Sequence, residues 1–483
     1  MSKSSQSNQT AQSRSVLQVV TSKRSKAVEG KRGKASESPV MQPNAAGIDI
    51  GAREVYVAIP ADRDAEPVRK VQTFTADLQE MAEWLKSKRI TTVAIESTGV
   101  DWIPVYDALE RAGIEACLVN PRHMKNVPGK RTDYHECQWI QFLHERGLLR
   151  PAFRPDSAVR AVRTLARERS DLVEMNGQHV QHIHKSLTEM NLQIHRVISD
   201  ITGTTGLAML DAIVAGERDA SKLAKLKDPR VKADNETIRK SLEGQWRDEQ
   251  VLVIKRRLVL YREHLVAISE MSLEMEKRIA AFEPRVDPKQ KPMPEDRKQA
   301  QRKRKKKGGG DPGFDLREES YKVFGVDVTQ IPGLMMLVLM LFSELGRDME
   351  RWPTASHFIS WLGLCPDNDI SGGRVLYRGA RRTKNRAGTL FRLAAYSLGR
   401  SEEPLGHYLR RMKAKLGPAG ATTATARKIA VIFYTMVKNQ TEYDHSKWAA
   451  QDQLREQRAK ARLHKQAARF GLTLVAREES HSA

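Results

Sequence analysis

The sequence predicts a mixed-sheet α/β domain followed by long helices and then a second, mainly helical domain. Three observations carry this expectation. Apolar strand segments give way to alternating helices and strands between residues 46 and 119. Two apolar series with 3-4 spacing lie between residues 180 and 279, and a fresh compact pattern begins near residue 321. Strand-like runs and 3-4 spacing are the primary signals of strand and helix.

Taken in order, Ala46-Gly-Ile-Asp-Ile-Gly51 reads as a buried strand, Val55 to Ile59 as its hairpin partner and Val68 to Phe74 as a third strand. Asp77 to Lys88 carries Leu78, Met81 and Leu85 on one helical face. Thr91 to Ile95 is another strand, Trp102 to Ala112 a helix and Glu115 to Val119 a fifth strand. A three-strand meander followed by helix–strand alternation is the ribonuclease-H-like order. This domain is expected over residues 46–156.

Over residues 157–283 the spacing of Val180, Ile183, Leu187, Met190, Ile194, Val197 and Ile201 predicts a coiled-coil seam. Val251, Ile254, Leu258, Tyr261, Leu265, Ile268, Met275 and Ile279 predict a second, with Ser272 filling the gap. The two seams could close on each other or pair between subunits. Four prolines, a basic block at Arg302 to Lys307 and three glycines make residues 284–320 a linker or basic arm. The second domain is expected over 321–445 and a charged helical tail over 446–483.

A net charge of +23 in 483 residues points to a polyanionic partner. Residues 1–45 carry +6 and residues 285–307 carry +8, so most of the excess sits on arm-like segments rather than on core segments. Residues 1–45 are poor in large apolar groups and read as a disordered basic arm. The longest apolar run, Leu334 to Phe342, is nine residues, against the ~20 a membrane span needs. Val16 to Val20 is too short for a secretory leader, and Cys117, Cys137 and Cys365 form no CxxC pair. These features predict a cytoplasmic, nucleoid-associated protein of a prokaryote with no membrane partner.

Four acids suggest chemistry. Asp49 sits in mid-strand between Ile48 and Ile50, where a bare charge is costly. Glu96 ends the strand Val93-Ala94-Ile95, and Asp133 and Glu136 lie three apart at the start of a helix, on one face. Such a set could converge on Mg²⁺, or Mn²⁺, to act on a phosphodiester. Taken singly each has a plainer reading: a strand-end charge for Glu96, a solvated helix acid for Glu136. The GxDxG strand also opens actin-like ATPases, whose further phosphate loop is replaced here by helical sequence. In the second domain, Ser371 in Ser371-Gly-Gly373 precedes a basic stretch, Arg374, Arg378, Arg381, Arg382, Lys384, Arg386 and Arg392, with no acid among them. A turn serine beside a solvated face is one reading; a nucleophile toward a phosphodiester with nucleic-acid-binding cations is the other.

Several motifs taken together resemble the DEDD transposases of insertion-sequence family 110. They are Gly47-Ile-Asp-Ile-Gly51, Ala94-Ile-Glu-Ser-Thr-Gly99, Asn120-Pro121, Arg131-Thr-Asp133 with Cys137-Gln-Trp139, and Leu148-Leu-Arg-Pro-Ala-Phe-Arg-Pro155. Ile331-Pro-Gly333, Trp361-Leu-Gly-Leu-Cys-Pro366, Ser371-Gly372, Asn385 and Arg392 continue the likeness. The resemblance implies a RuvC-like metal domain with Asp49, Glu96 and Asp133 as the first three acids. Glu136 stands where that family usually has Asp. It further implies a transposase domain in which Ser371 forms a phosphoserine link to cut DNA. A bridge RNA would pair with donor and target DNA, and the protein would work as a dimer or tetramer. The alternatives are a RuvC-like nuclease or junction resolvase using water, and a non-enzymatic nucleic-acid-binding protein.

Overall fold

The computed structural model describes residues 39–96, 99–120, 133–295, 313–366, 368–377, 379 and 385–474. The chain divides into two compact units, Met1–Arg154 and Pro155–Ala483.

The first unit holds β1 (Ala45–Ile50), β2 (Glu54–Ala58), β3 (Val68–Gln72), α1 (Thr75–Ser87), β4 (Thr92–Glu96), α2 (Trp102–Arg111), β5 (Glu115–Val119) and α3 (Asp133–Glu145). The sheet order is β3-β2-β1-β4-β5. The meander is antiparallel, and β4 and β5 join β1 in parallel. This is the ribonuclease-H-like arrangement expected from the strand pattern. Period-two alternation sorts the side chains. Ile48, Val55, Val57, Val93, Ile95 and Leu118 face α1 and α2, forming one core with Leu78, Leu85, Val105 and Leu109. Ala94 and Val119 face the other way and pack on Ile140 of α3. Order begins before Ala46: Met41 and Gln42 donate to the Glu145 carbonyl, and the Asn44 carbonyl accepts from Thr91. The end of the expected arm is therefore built into the domain, while residues 1–38 lie outside the described residues.

The second unit opens with α4 (Ser157–Glu189) and returns along α9 (Asp248–Ala280). Between them lie α5 (Ile194–Val197), α6 (Thr204–Val214), α7 (Ala220–Ala224) and α8 (Asn235–Ser241). Arg169 reaches Ser272 at 2.8 Å, Arg257 meets His179 at 3.2 Å and Gln250 meets Glu189 at 2.5 Å. The two long helices therefore run antiparallel and close on each other within one chain. The first 3-4 series is not one seam, however. Asn191 adopts φ of 55° and ends α4, so Ile194, Val197 and Ile201 follow a break. Ile194 and Ile201 stay buried because α6, α7 and α8 cap the hairpin with Met209, Ile213, Leu223 and Ile238.

Next come α10 (Leu316–Phe324), α11 (Val338–Leu345), α12 (Ala355–Trp361), the hairpin β6 (Asp369–Ser371) and β7 (Arg374–Tyr377), and α13 (Arg386–Ser397). The last elements are α14 (Pro404–Asn439), broken at Gly417 ahead of Pro418, and α15 (His445–Arg469). Buried Glu344 of α11 holds Arg167 through two 2.8 Å bonds, tying the helical hairpin to this region. The described part of the expected linker is packed, not free. Arg285 donates from its backbone to Lys322, and the Tyr321 hydroxyl donates to the Lys291 carbonyl. The basic block Arg302–Lys307 lies outside the described residues.

Candidate active site

Register creates the acidic centre of the first unit. Ile48 of β1 lies opposite Ile95 of β4. The next residues, Asp49 and Glu96, therefore emerge side by side at the carboxyl ends of adjacent parallel strands, on the α3 face. That face is open because Gly47 has no side chain: a Cβ there would come within 2.2 Å of the Gln141 backbone nitrogen. At its far end α3 is pinned by His144, whose Nε2 lies 2.9 Å from the Thr92 hydroxyl of β4. Burial drives the His144 pKa down to about 4 and the Cys137 thiol up to about 12, so both stay neutral anchors.

With α3 held so closely, its first turn meets the strand ends. Carboxylate oxygens of Asp49, Glu96 and Glu136 all lie within 4.8 Å of one another. Burial, then the charges of Glu136, Glu96 and Asp133, push Asp49 up to about 7. Among the described residues no lysine or arginine is among these leading influences. Hard oxygen ligands at this spacing suit a divalent cation such as Mg²⁺. The membership differs in one respect from the sequence reading. Glu136, one helical turn deeper than Asp133, completes the close group. Asp133 is exposed and acts on Asp49 through its charge.

Sequence reasoning missed the neighbouring row. Asp49 pairs with Tyr56 and Tyr56 with Lys70 across the meander. Tyr56 donates to Glu54 at 3.1 Å, and Lys70 pairs with Glu54 at 2.6 Å. Counting the alternation across all three strands would have found this row. Ser97 and Thr98, Pro121, Arg131 and Thr132 lie outside the described residues. The Leu148–Pro155 motif runs beside β5, with Ala152 donating to the Leu118 carbonyl, and it ends in an Arg154–Asp107 ion pair at 2.7 Å. That motif is framework.

In the second unit Ser371 ends β6, opposite Arg374 of β7. Gly372 and Gly373 both have positive φ, 56° and 76°, as a two-residue hairpin turn requires. Ser371 and Arg374 are exposed at the tip, and Arg386 is exposed at the start of α13. Arg392 departs from the expected nucleic-acid face. Its guanidinium turns inward and donates to the Gly363 carbonyl at 2.8 Å, and burial lowers its pKa. Asn385 likewise caps α13 and holds the Trp361 carbonyl. Arg378, Arg381, Arg382 and Lys384 lie outside the described residues.

A ribonuclease-H-like sheet with clustered acids at its strand ends defines a class of nucleic-acid-processing enzymes. The comparisons narrow it: residues 46–192 match a DEDD transposase model of the IS110 type, described as "Transposase". Residues 327–408 match the model "Transposase IS116/IS110/IS902 family". The chain thus belongs to the IS110 family of DEDD transposases, enzymes of DNA transposition. No individual curated protein matches it. Among the described residues no helix is long and apolar enough to cross a membrane.

Proposed function

We propose that the chain cuts and rejoins DNA strands to move an insertion sequence, using the acidic centre of the first unit and Ser371 of the second. The observation that carries this reading is the convergence of Asp49, Glu96 and Glu136 within 4.8 Å, with Asp49 pushed up to about 7. Asp49, Glu96 and Glu136 would hold Mg²⁺ or Mn²⁺, with Asp133 adding charge from one turn away. Such a cation, when bound, supplies electrostatic stabilisation to the phosphodiester undergoing displacement.

The chain's own groups then do the rest. Ser371 Oγ attacks phosphorus, its proton passing to a base, and the P–O bond to the departing strand end breaks. The departing oxygen takes up that proton from the base, so the strand end leaves as a hydroxyl and the phosphate remains as a phosphoserine ester. Attack by another strand's hydroxyl reverses the step and frees the serine, so no energy source is needed. Arg374, across the turn, is placed to offset phosphate charge. Guidance by a bridge RNA and assembly as a dimer or tetramer belong to this reading through the family resemblance, and the +23 charge supports polyanion binding. A site in the cytoplasm at the nucleoid accords with it.

Nicking of a supercoiled substrate in Mg²⁺ against EDTA tests the acidic centre. Asp49→Asn, Glu96→Gln and Glu136→Gln should each lower the rate at least a hundredfold with folding intact, whereas Glu136→Asp should keep activity. Full activity in EDTA contradicts the reading. Among the described residues Ser371 has no side-chain base bonded to it, which favours a water-using nuclease as the second reading. That enzyme would nick without a protein–DNA adduct.

A further inference from the structure

The second unit holds a half-open cavity of about 1050 Å³ lined by α14, α15, Leu364, Cys365, Pro366 and Asn368. Small-molecule and cofactor pockets run to roughly 300–1,000 Å³, so this one is large. Its walls are mostly apolar, among them Leu364, Ala424 and Val431, yet Lys428 projects into it. The Lys428 ammonium sits 4.6 Å from the Tyr408 ring centroid and 4.4 Å from that of Trp448. Among the described residues it makes no hydrogen bond or ion pair. Asp452, whose charge acts on Lys428, is already engaged by His407 and Arg411, and Glu442 and Asp444 line the cavity without bonding to the ammonium. Burial, then the charges of Arg455 and Arg411, lower the Lys428 pKa to about 8. A half-buried ammonium held only by ring faces has unused donors and calls for an acceptor.

Position says which acceptor. Asn368, which precedes β6, and Gly379, which follows β7, both line the cavity. The cavity therefore opens at the base of the hairpin whose tip carries Ser371. Three residues of strand span roughly 10 Å, about three rises of a DNA strand. An apolar peptide side chain would fill the walls but leave the ammonium without a partner. A nucleobase supplies both a flat apolar face and exocyclic oxygen or ring nitrogen acceptors, the combination that single-strand and base-flipping sites exploit.

We propose that this cavity receives one unpaired base of the DNA strand acted on at Ser371, about three nucleotides from the scissile phosphate, with Lys428 donating to it. The inference rests on the reading that the second unit handles DNA, and most of the cavity lies beyond the family matches, which end at residue 408.

Single-stranded DNA carrying 5-iodo-2′-deoxyuridine, irradiated on the full chain and mapped by peptide mass, tests it. The expected adducts lie on the Tyr408 or Trp448 peptides. Lys428→Met should weaken single-strand binding about tenfold, the size of one charged hydrogen bond, and leave duplex binding unchanged. Ala424→Phe, which fills the cavity with Lys428 intact, should do the same. Adducts confined to other peptides, or unchanged binding by both folded variants, would overturn the proposal. So would adducts in the cavity from the matching RNA but not from DNA, or loss of chain self-association in either variant with single-strand binding intact. Ser371→Ala should retain the cavity adducts, so failure of the serine chemistry and failure of the base pocket read out separately. Absence of any DNA binding would instead sink the underlying reading.

Discussion

Replacing Asp49 with Asn should stabilise the metal-free protein, although it deletes a central acid. The folded-state pKa of about 7 lies roughly three units above the ordinary 3.8. At 1.36 kcal/mol per unit the upper bound is about 4 kcal/mol. Asp49 is only half-buried, so solvent screening reduces this to about 1–2 kcal/mol. The sign follows from proton linkage: the folded state holds the proton between pH 3.8 and 7, so stability is lost as pH rises through that window. Above pH 7 the full cost is present, and Asn removes it; below pH 4 the two proteins should melt alike. For a unit of this size the gain is about 3–6 °C in melting temperature. Calorimetry at pH 8 in EDTA measures it, and added Mg²⁺ should raise the wild type but not the variant. A lower melting temperature for Asp49→Asn in EDTA would refute the reasoning and make the carboxylate a structural partner.

Three further outcomes follow from the framework. Gly47→Ala places a methyl within 2.2 Å of the α3 backbone, so it should cost at least ~2 kcal/mol and sharply lower nicking, read by melting and the nicking assay. His144, with its pKa lowered to about 4, contributes stability that is present above about pH 6.5 and lost as pH falls toward 4. The loss amounts to about 3 kcal/mol and should flatten in His144→Gln when melting is followed against pH. Leu187→Lys buries an unpaired charge in the hairpin core and should cost about 3 kcal/mol or more, seen as a lower urea midpoint.

The five strands were legible because each obeys one period and is bounded by turn residues, and Asp49 stood out as a charge inside such a strand. Their order in space then placed Glu96 beside it. Which helix acid closes the group was not legible: Asp133 and Glu136 share a face, and depth is set by how closely Gly47 admits α3. The break at Asn191 escaped because Asn tolerates left-handed backbone without altering the apolar rhythm, which α6 to α8 keep buried. Arg392 looked like its basic neighbours, and only the Gly363 carbonyl, 29 residues upstream, reveals its structural role. Lys428 carried no local signal, since its ring partners Tyr408 and Trp448 reach it only across the break at Gly417 and from the next helix, α15.

The central claim is that a serine in the second unit cuts DNA with the help of an acidic centre in the first. Denaturing the wild-type reaction on a nicked suicide substrate in Mg²⁺, then mapping the DNA-linked peptide, tests it most directly. The account predicts a phosphoserine at Ser371, absent from Ser371→Ala and from Asp49→Asn. Cut strands with free ends and no linked peptide, or an adduct at another residue, would contradict it.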